Sequence, residues 1–302
     1  METNGTLRWT LVGALAPVLW GSVYFVTSHW IPAGEPLTAA LLRALPAGIV
    51  LLLWRRRLPH GAWWWRALVL GVLNVGAFFV LVYLAATLLP TSVAAVVMSL
   101  SPVAMLAAGW ALVGERPAFR AVAGAALGIL GVVVMLGGAS GALSPCGVGA
   151  GVAAMAMYAV GSVLAKRWST GVDLVASTSW QLVAGGLLLL PLALAIEGPP
   201  VIHAWSELAA FAYISFAATG VAFVAWFGAL RHLRAGQVGL LGLLNPVTGV
   251  LLGVLLGGEA LTGWQAAGIA AILAGVVLGQ SRARRRRASA PTPTAEPAAA
   301  AR

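Results

Sequence analysis

The sequence predicts an all-α membrane protein, with ten transmembrane helices arranged as two inverted five-helix repeats and both termini cytoplasmic. Three observations carry that expectation. Of 302 residues, 61% are hydrophobic and only 9% charged, with a mean hydropathy of +0.95, whereas a soluble domain carries about 25% charged residues. The apolar residues fall in long runs separated by charge, glycine and proline. Finally, a shift of 144 residues lays 71–136 on 215–280 with 18 of 66 positions identical, where composition alone would match roughly one in eight.

The ten runs are 9–28, 37–54, 67–88, 91–114, 118–137, 147–166, 174–195, 207–230, 235–257 and 262–280. Each is near the roughly 20 residues that span a bilayer. The first follows Arg8, and it is too long and too poor in a small-residue cleavage site to be a removable signal peptide. The second ends on Arg55-Arg56-Arg57, the third follows Arg66, and the fourth closes on Gly114-Glu115-Arg116. Run six stops at Lys166-Arg167, run eight at Arg231, and run nine begins after Arg234. Beyond Gln280 come six arginines and an Ala/Pro/Thr tail, expected to be disordered. The expected organisation is therefore a cytoplasmic N-terminus at 1–8, repeats at 9–137 and 147–280, and a basic cytoplasmic tail at 281–302.

Charge sets the orientation. The even-numbered connections hold the Lys and Arg, while the odd ones show His29, Glu35, Glu197, His203 and Glu259 with no Lys or Arg. The positive-inside rule then puts both termini in the cytoplasm. The net charge of +10 is explained by these flanks, so nucleic acid is not expected as a partner. Because five is odd, the second repeat enters the bilayer inverted, with Glu115 cytoplasmic and Glu259 external. Inverted repeats mark secondary transporters, whose solute site lies near the midplane between the halves.

Several chemistries lack their residues. Cys146 is the single cysteine, so neither an internal disulfide nor a CxxC zinc site can form. There is no phosphate-binding G-x-x-x-x-G-K-[ST] string, and no pair of carboxylates falls inside the runs. All four histidines lie at or beyond run boundaries. The chain is thus expected to be no enzyme and to need no cofactor or metal.

Candidate site residues come from polar and aromatic groups away from the run ends. Trp20 with Tyr24, Asn74 with Phe78, and Phe223 with Trp226 are spaced three or four apart and so share helix faces. Tyr83 and Tyr158 join them, and such a set suits a flat apolar or cationic solute. Lipid-facing or packing aromatics are the plainer alternative. Trp30, Trp54, Trp63-Trp64-Trp65, Trp168 and Trp205 sit at run ends, where an interfacial belt accounts for them. Pro102 and Pro246 fall mid-run and should free the carbonyls of Met98 and Gly242. Ser99, Ser101 and Asn245 could satisfy that backbone or contact solute. Arg43 is the one formal charge well inside a run, roughly 9 Å deep at 1.5 Å per residue. It has either a carboxylate-binding or gating role, or that of a structural tie within snorkelling range. Gly124 with Gly128, and Gly249 with Gly253 and Gly257, form small ridges for helix packing.

Ser101-Pro102-Val103 followed by Gly114-Glu115-Arg116, and Asn245-Pro246-Val247 followed by Gly257-Gly258-Glu259, resemble the ends of paired EamA repeats. Over residues 9–280 the chain resembles an EamA-type transporter of the drug/metabolite transporter superfamily, and within it the bacterial aromatic amino acid exporters. Ser101 stands where the commoner pattern has Glu before Pro. The resemblance implies an inner-membrane exporter of amino acids and related small metabolites, with a cavity walled by spans one, three, four, six, eight and nine. The implied substrate-binding set is Trp20, Tyr24, Asn74, Phe78, Tyr83, Met98, Ser99, Tyr158, Phe223, Trp226 and Asn245, with Arg43, Pro102 and Pro246 in gating or structural roles. Partners are then a small-molecule solute and membrane lipid; the oligomeric state stays open, a monomer sufficing. Facilitated movement and proton exchange are both open. A permease of the same fold for another metabolite or drug, and a non-transporting scaffold or sensor, are the alternatives.

Overall fold

The computed structural model describes residues 2–280 except 32, 33, 90, 138–143 and 259. The expected tail at 281–302, and Glu259, lie outside the described residues. Fourteen α-helices are described: α1 Glu2–Trp30, α2 Pro36–Arg55, α3 Trp63–Gly71, α4 Ala77–Leu88, α5 Thr91–Ser99, α6 Ser101–Val113, α7 Phe119–Met135, α8 Pro145–Arg167, α9 Leu174–Ile196, α10 Trp205–Ala212, α11 Ala222–His232, α12 Ala235–Leu241, α13 Leu244–Leu255 and α14 Gly263–Gln280. Two π-helical segments, Val72–Gly76 and Tyr213–Val221, join α3 to α4 and α10 to α11. Among the described residues there is no strand.

Nine helical stretches among the described residues reach eighteen residues and are apolar enough to cross a membrane. The expected fifth span is the seventeen-residue α7. The first helix starts at Glu2, not at 9, so most of the expected N-terminal extension is helical. Local sequence sets many of the ends. Ser144 accepts a hydrogen bond from Gly147 N at 3.3 Å to cap α8, and Asp173 accepts one from Ala176 N at 2.9 Å to cap α9. Pro36 and Pro145 occupy first turns, where no amide donor is needed. Gly114, at φ 69°, stops α6 in the left-handed conformation.

Four expected continuous spans are interrupted. The fourth splits into α5 and α6 at Leu100, whose amide turns back to Val97 O at 3.2 Å. The ninth splits into α12 and α13, with three-residue turns at Gly242 and Leu243. Prolines are the cause: Pro102 and Pro246 cannot donate to the carbonyl four residues earlier. The carbonyl expected to be freed at Gly242 is nonetheless taken, accepting from Asn245 N at 3.1 Å. The π segments interrupt the third and eighth spans. Under the 144-residue shift, 72–76 falls on 216–220, inside the second segment, so both stand at equivalent positions.

Glycine brings the helices together. A Cβ at Gly124 would lie 2.5 Å from Gly275 O, and one at Gly131 would lie 2.8 Å from Gly268 O, so α7 and α14 cross antiparallel with backbones touching. Helices α2 and α9 do the same: a Cβ at Gly48 would lie 2.8 Å from Val183 N, and one at Gly186 would lie 3.0 Å from Leu45 Cα. At one end of that pair the Arg55 guanidinium binds the Asp173 carboxylate. At the other, Glu197 accepts from the amides of Leu37 and Thr38 at 2.9 and 2.7 Å.

Candidate functional site

Trp20 on α1 is the hub of an aromatic assembly that draws on four helices. Its ring centroid lies 5.2 Å from Trp226, 5.6 Å from Phe223 and 6.0 Å from Tyr158. Tyr158 reaches Trp226 at 5.9 Å and Phe78 at 5.1 Å. Each pair falls within the 4.5–7 Å range of favourable edge or offset contacts. Five of the expected site residues, carried by α1, α4, α8 and α11, are thereby brought together. Phe223 and Trp226 are 2% exposed and form its floor, while Trp20 and Phe78 keep accessible surface.

The polar edges of this assembly are incompletely used. Trp226 Nε1 donates to Ser162 Oγ at 3.3 Å. The buried Trp20 Nε1 has no acceptor, and the Tyr158 hydroxyl lies toward Ser162 without a hydrogen bond of ordinary geometry. Buried donors left this way cost free energy unless something else pairs with them.

The other expected residues are placed apart from the rings. Asn74 is fully buried in the first π segment and donates Nδ2 to Gln181 Oε1 on α9 at 2.9 Å. A Cβ at Gly161 would lie 2.3 Å from Asn74 Oδ1, so this pocket closes on the amide. Asn74 and Phe78 keep a common side toward α8, Asn74 against Gly161 and Phe78 against Tyr158 one turn away. Tyr24 and Tyr83 are exposed, at 66% and 38%. Met98 and Asn245 are part-buried, and Ser99 spends its hydroxyl on Val96 O at 2.7 Å.

Arg43 turns inward. Its Nε donates to Thr219 Oγ1 in the second π segment at 2.8 Å, and its guanidinium carbon lies 4.9 Å from the centroid of Phe79. Thr219, Phe79, Ser162 and Gln181 were not foreseen. A signal existed: a shift of 138 places Arg43 on Gln181, and each reaches across to the π segment of the other half. At the end of α6, Glu115 Oε1 meets Lys166 Nζ at 2.5 Å and its Oε2 accepts from Ala235 N at 2.6 Å. That carboxylate ties α8 to the first turn of α12, a capping contact.

Comparisons with known proteins bear on this arrangement. The model of the EamA-like transporter family matches twice, over residues 7–137 and 146–279. Protein PecM of Dickeya dadantii is 37% identical over 267 residues, 88% of this chain and 90% of PecM. The inner membrane transporter YedA of Escherichia coli (strain K12) is 29% identical over 86% of this chain and 87% of its own. A Salmonella typhimurium protein named "Probable amino-acid metabolite efflux pump" is 28% identical over 87% of this chain and 92% of its own. One crystal structure superposes with a TM-score of 0.77 at 28% identity, covering 90% of this chain and 96% of the other.

Proposed function

The chain belongs to the EamA-like transporter family, and on that premise we propose that it exports amino acids, aromatic ones among them, and related small metabolites. It is a multi-pass membrane protein whose relatives are named as transporters. In this reading it sits in the bacterial inner membrane with both termini cytoplasmic, as the arginine-rich connections require. The two halves, 9–137 and 147–280, are inverted repeats that rock about a midplane site. Antiparallel crossing of α2 with α9 and of α7 with α14 supports inversion, since helices at equivalent positions must then run in opposite directions. So does the reciprocity of their contacts: Gly124 meets Gly275 as Gly268 meets Gly131.

The aromatic assembly around Trp20 is the observation that carries the substrate reading. Its rings come from α1 and α4 of the first half and α8 and α11 of the second, so a flat solute held there touches both halves. Trp20, Phe78 and Tyr158 contact solute; Phe223 and Trp226 back them; Tyr24, Tyr83, Met98, Ser99 and Asn245 line the approach. Asn74 fixes the first π segment, Pro102 and Pro246 set the breaks in the fourth and ninth spans, and Arg43 serves the site from α2. Glu115 pairs with Lys166 at the end of α6, the end this reading puts on the cytoplasmic side.

Efflux from proteoliposomes loaded with a solute panel tests the reading. Phenylalanine, tyrosine and tryptophan are expected to leave faster than through protein-free vesicles, and faster than a small aliphatic amino acid. Efflux only of solutes that are not amino acids would favour a permease of the same fold for another metabolite. Efflux of none would favour a scaffold or sensor.

A further inference from the structure

A guanidinium inside the bundle needs a counter-charge, because a lone charge at membrane depth is costly. Among the described residues the ion pairs are Arg55 with Asp173 and Lys166 with Glu115, and Arg43 belongs to neither. We propose that Arg43 is the carboxylate receptor of the transport site, and that the charge it lacks in the protein is supplied by the solute. This rests on the transport reading above and names the group that would set its specificity.

The geometry prepares Arg43 for that role. Donation of Nε to the fully buried Thr219 at 2.8 Å fixes one edge of the fork. Stacking over Phe79 at 4.9 Å fixes its plane. The two terminal nitrogens are the remaining edge, the one that grips a carboxylate in two parallel hydrogen bonds. Arg43 itself keeps accessible surface although it is set inside the bundle.

Contiguity with the rings gives the solute a direction. Phe79 lies 5.5 Å from Phe78, which lies 5.1 Å from Tyr158, and Tyr158 and Tyr24 are within electrostatic reach of Arg43. A solute carrying a carboxylate a few bonds from a flat ring would lay its charge on Arg43 and its ring among Trp20, Phe78 and Tyr158. The unpartnered Tyr158 hydroxyl supplies a further donor at the junction.

The repeat explains why there is one receptor and not two. Gln181 occupies the position equivalent to Arg43, is neutral, and is 2% exposed. Its amide is consumed within the protein, accepting from Asn74 and donating to Ser177 O at 3.1 Å. Only the α2 side therefore offers charge, and a bound solute is oriented by it.

The test compares phenylalanine with phenylalaninamide, which lacks the carboxylate, in proteoliposome uptake by the full-length protein. Wild type is expected to favour the acid. Arg43→Gln is expected to slow the acid by about tenfold or more while leaving the amide within about twofold, as loss of a charge-assisted contact requires. Retained amide transport shows that the variant is folded. If Arg43→Gln does not reach the membrane, Thr219→Val, which releases Nε, is expected to slow the acid selectively. An unchanged acid-to-amide ratio in the variants, or equal rates for the two solutes in wild type, would overturn the proposal while leaving transport intact. Movement of neither solute by wild type would remove the aromatic amino acid reading and this inference with it.

Discussion

Replacing Gly124 by alanine puts a methyl group where α7 and α14 leave no space. The added Cβ would lie 2.5 Å from Gly275 O and 2.9 Å from Gly279 N. Carbon contacts settle at about 3.5–4.0 Å, and both neighbours are backbone, which cannot rotate aside. The helix axes must separate by about 1 Å, at a cost of about 1–3 kcal/mol for overpacking. Alanine also returns up to about 1 kcal/mol of helix propensity, so the net effect is destabilisation. Gly149→Ala is the internal control, because its Cβ would meet nothing within 4 Å and only the propensity gain remains. Thermal unfolding of the detergent-solubilised protein, followed by size-exclusion fluorescence, should order the stabilities Gly149→Ala, wild type, Gly124→Ala. Gly124→Ala with Gly275→Ala should cost less than the sum of the singles, since the same gap is opened once. A Gly124→Ala midpoint equal to that of Gly149→Ala would refute the backbone-contact argument.

The other predictions concern ends, topology and acid. Glu115→Ala strands Ala235 N and leaves Lys166 Nζ only the Leu233 carbonyl, and should lower the unfolding midpoint, with about 1–3 kcal/mol lost; Glu115→Gln, which can still accept from Ala235 N, should lie between it and wild type. Cys146, exposed at the start of α8, should react with a membrane-impermeant thiol reagent in right-side-out vesicles, whereas a cysteine placed at Ser169 should not; strong labelling at Ser169 would contradict the proposed orientation. The Arg55 guanidinium, hydrogen-bonded to Asp173, holds that carboxyl below its ordinary value of 3.8. Its contribution to stability is therefore full above that value and lost as pH falls through the depressed one. Unfolding midpoints of wild type and Asp173→Asn should differ near neutral pH and converge only below about pH 4.

Much of the bundle was legible because hydropathy writes membrane spans directly. The aromatic assembly was legible in part for the same reason that helix faces are: spacing of three put Phe223 and Trp226 together, and both meet Trp20. Asn74 and Phe78 also face one helix, at Gly161 and Tyr158, but no spacing signals that the Asn74 amide is taken by Gln181, and no hydropathy signal marks the π turn between them. Tyr24 shares a sequence spacing with Trp20 but is 66% exposed and joins none of its ring contacts, since spacing gives a shared face and not how closely the next turn is packed. The breaks at Leu100 and Gly242 follow from Pro102 and Pro246, yet proline specifies a lost hydrogen bond and not whether the helix bends or restarts. Arg43 met Thr219 across 176 residues of chain, a partner that only the internal repeat hinted at by laying Arg43 on Gln181.

Counterflow of radiolabelled phenylalanine into proteoliposomes preloaded with the unlabelled solute, at equal pH on both sides, tests the central claim most directly. With Arg43 the one formal charge set well inside the spans, and the buried Glu207 in the first turn of its helix bonded to His203 N at 2.9 Å, the account predicts transient accumulation by wild type without an imposed ion gradient. Trp20→Ala, which removes three ring contacts worth about 0.5–1.5 kcal/mol each, should cut the initial rate by about tenfold or more at equal membrane expression. Wild-type accumulation that appears only with a proton gradient and is abolished by Glu115→Gln, or full counterflow in Trp20→Ala, would contradict it.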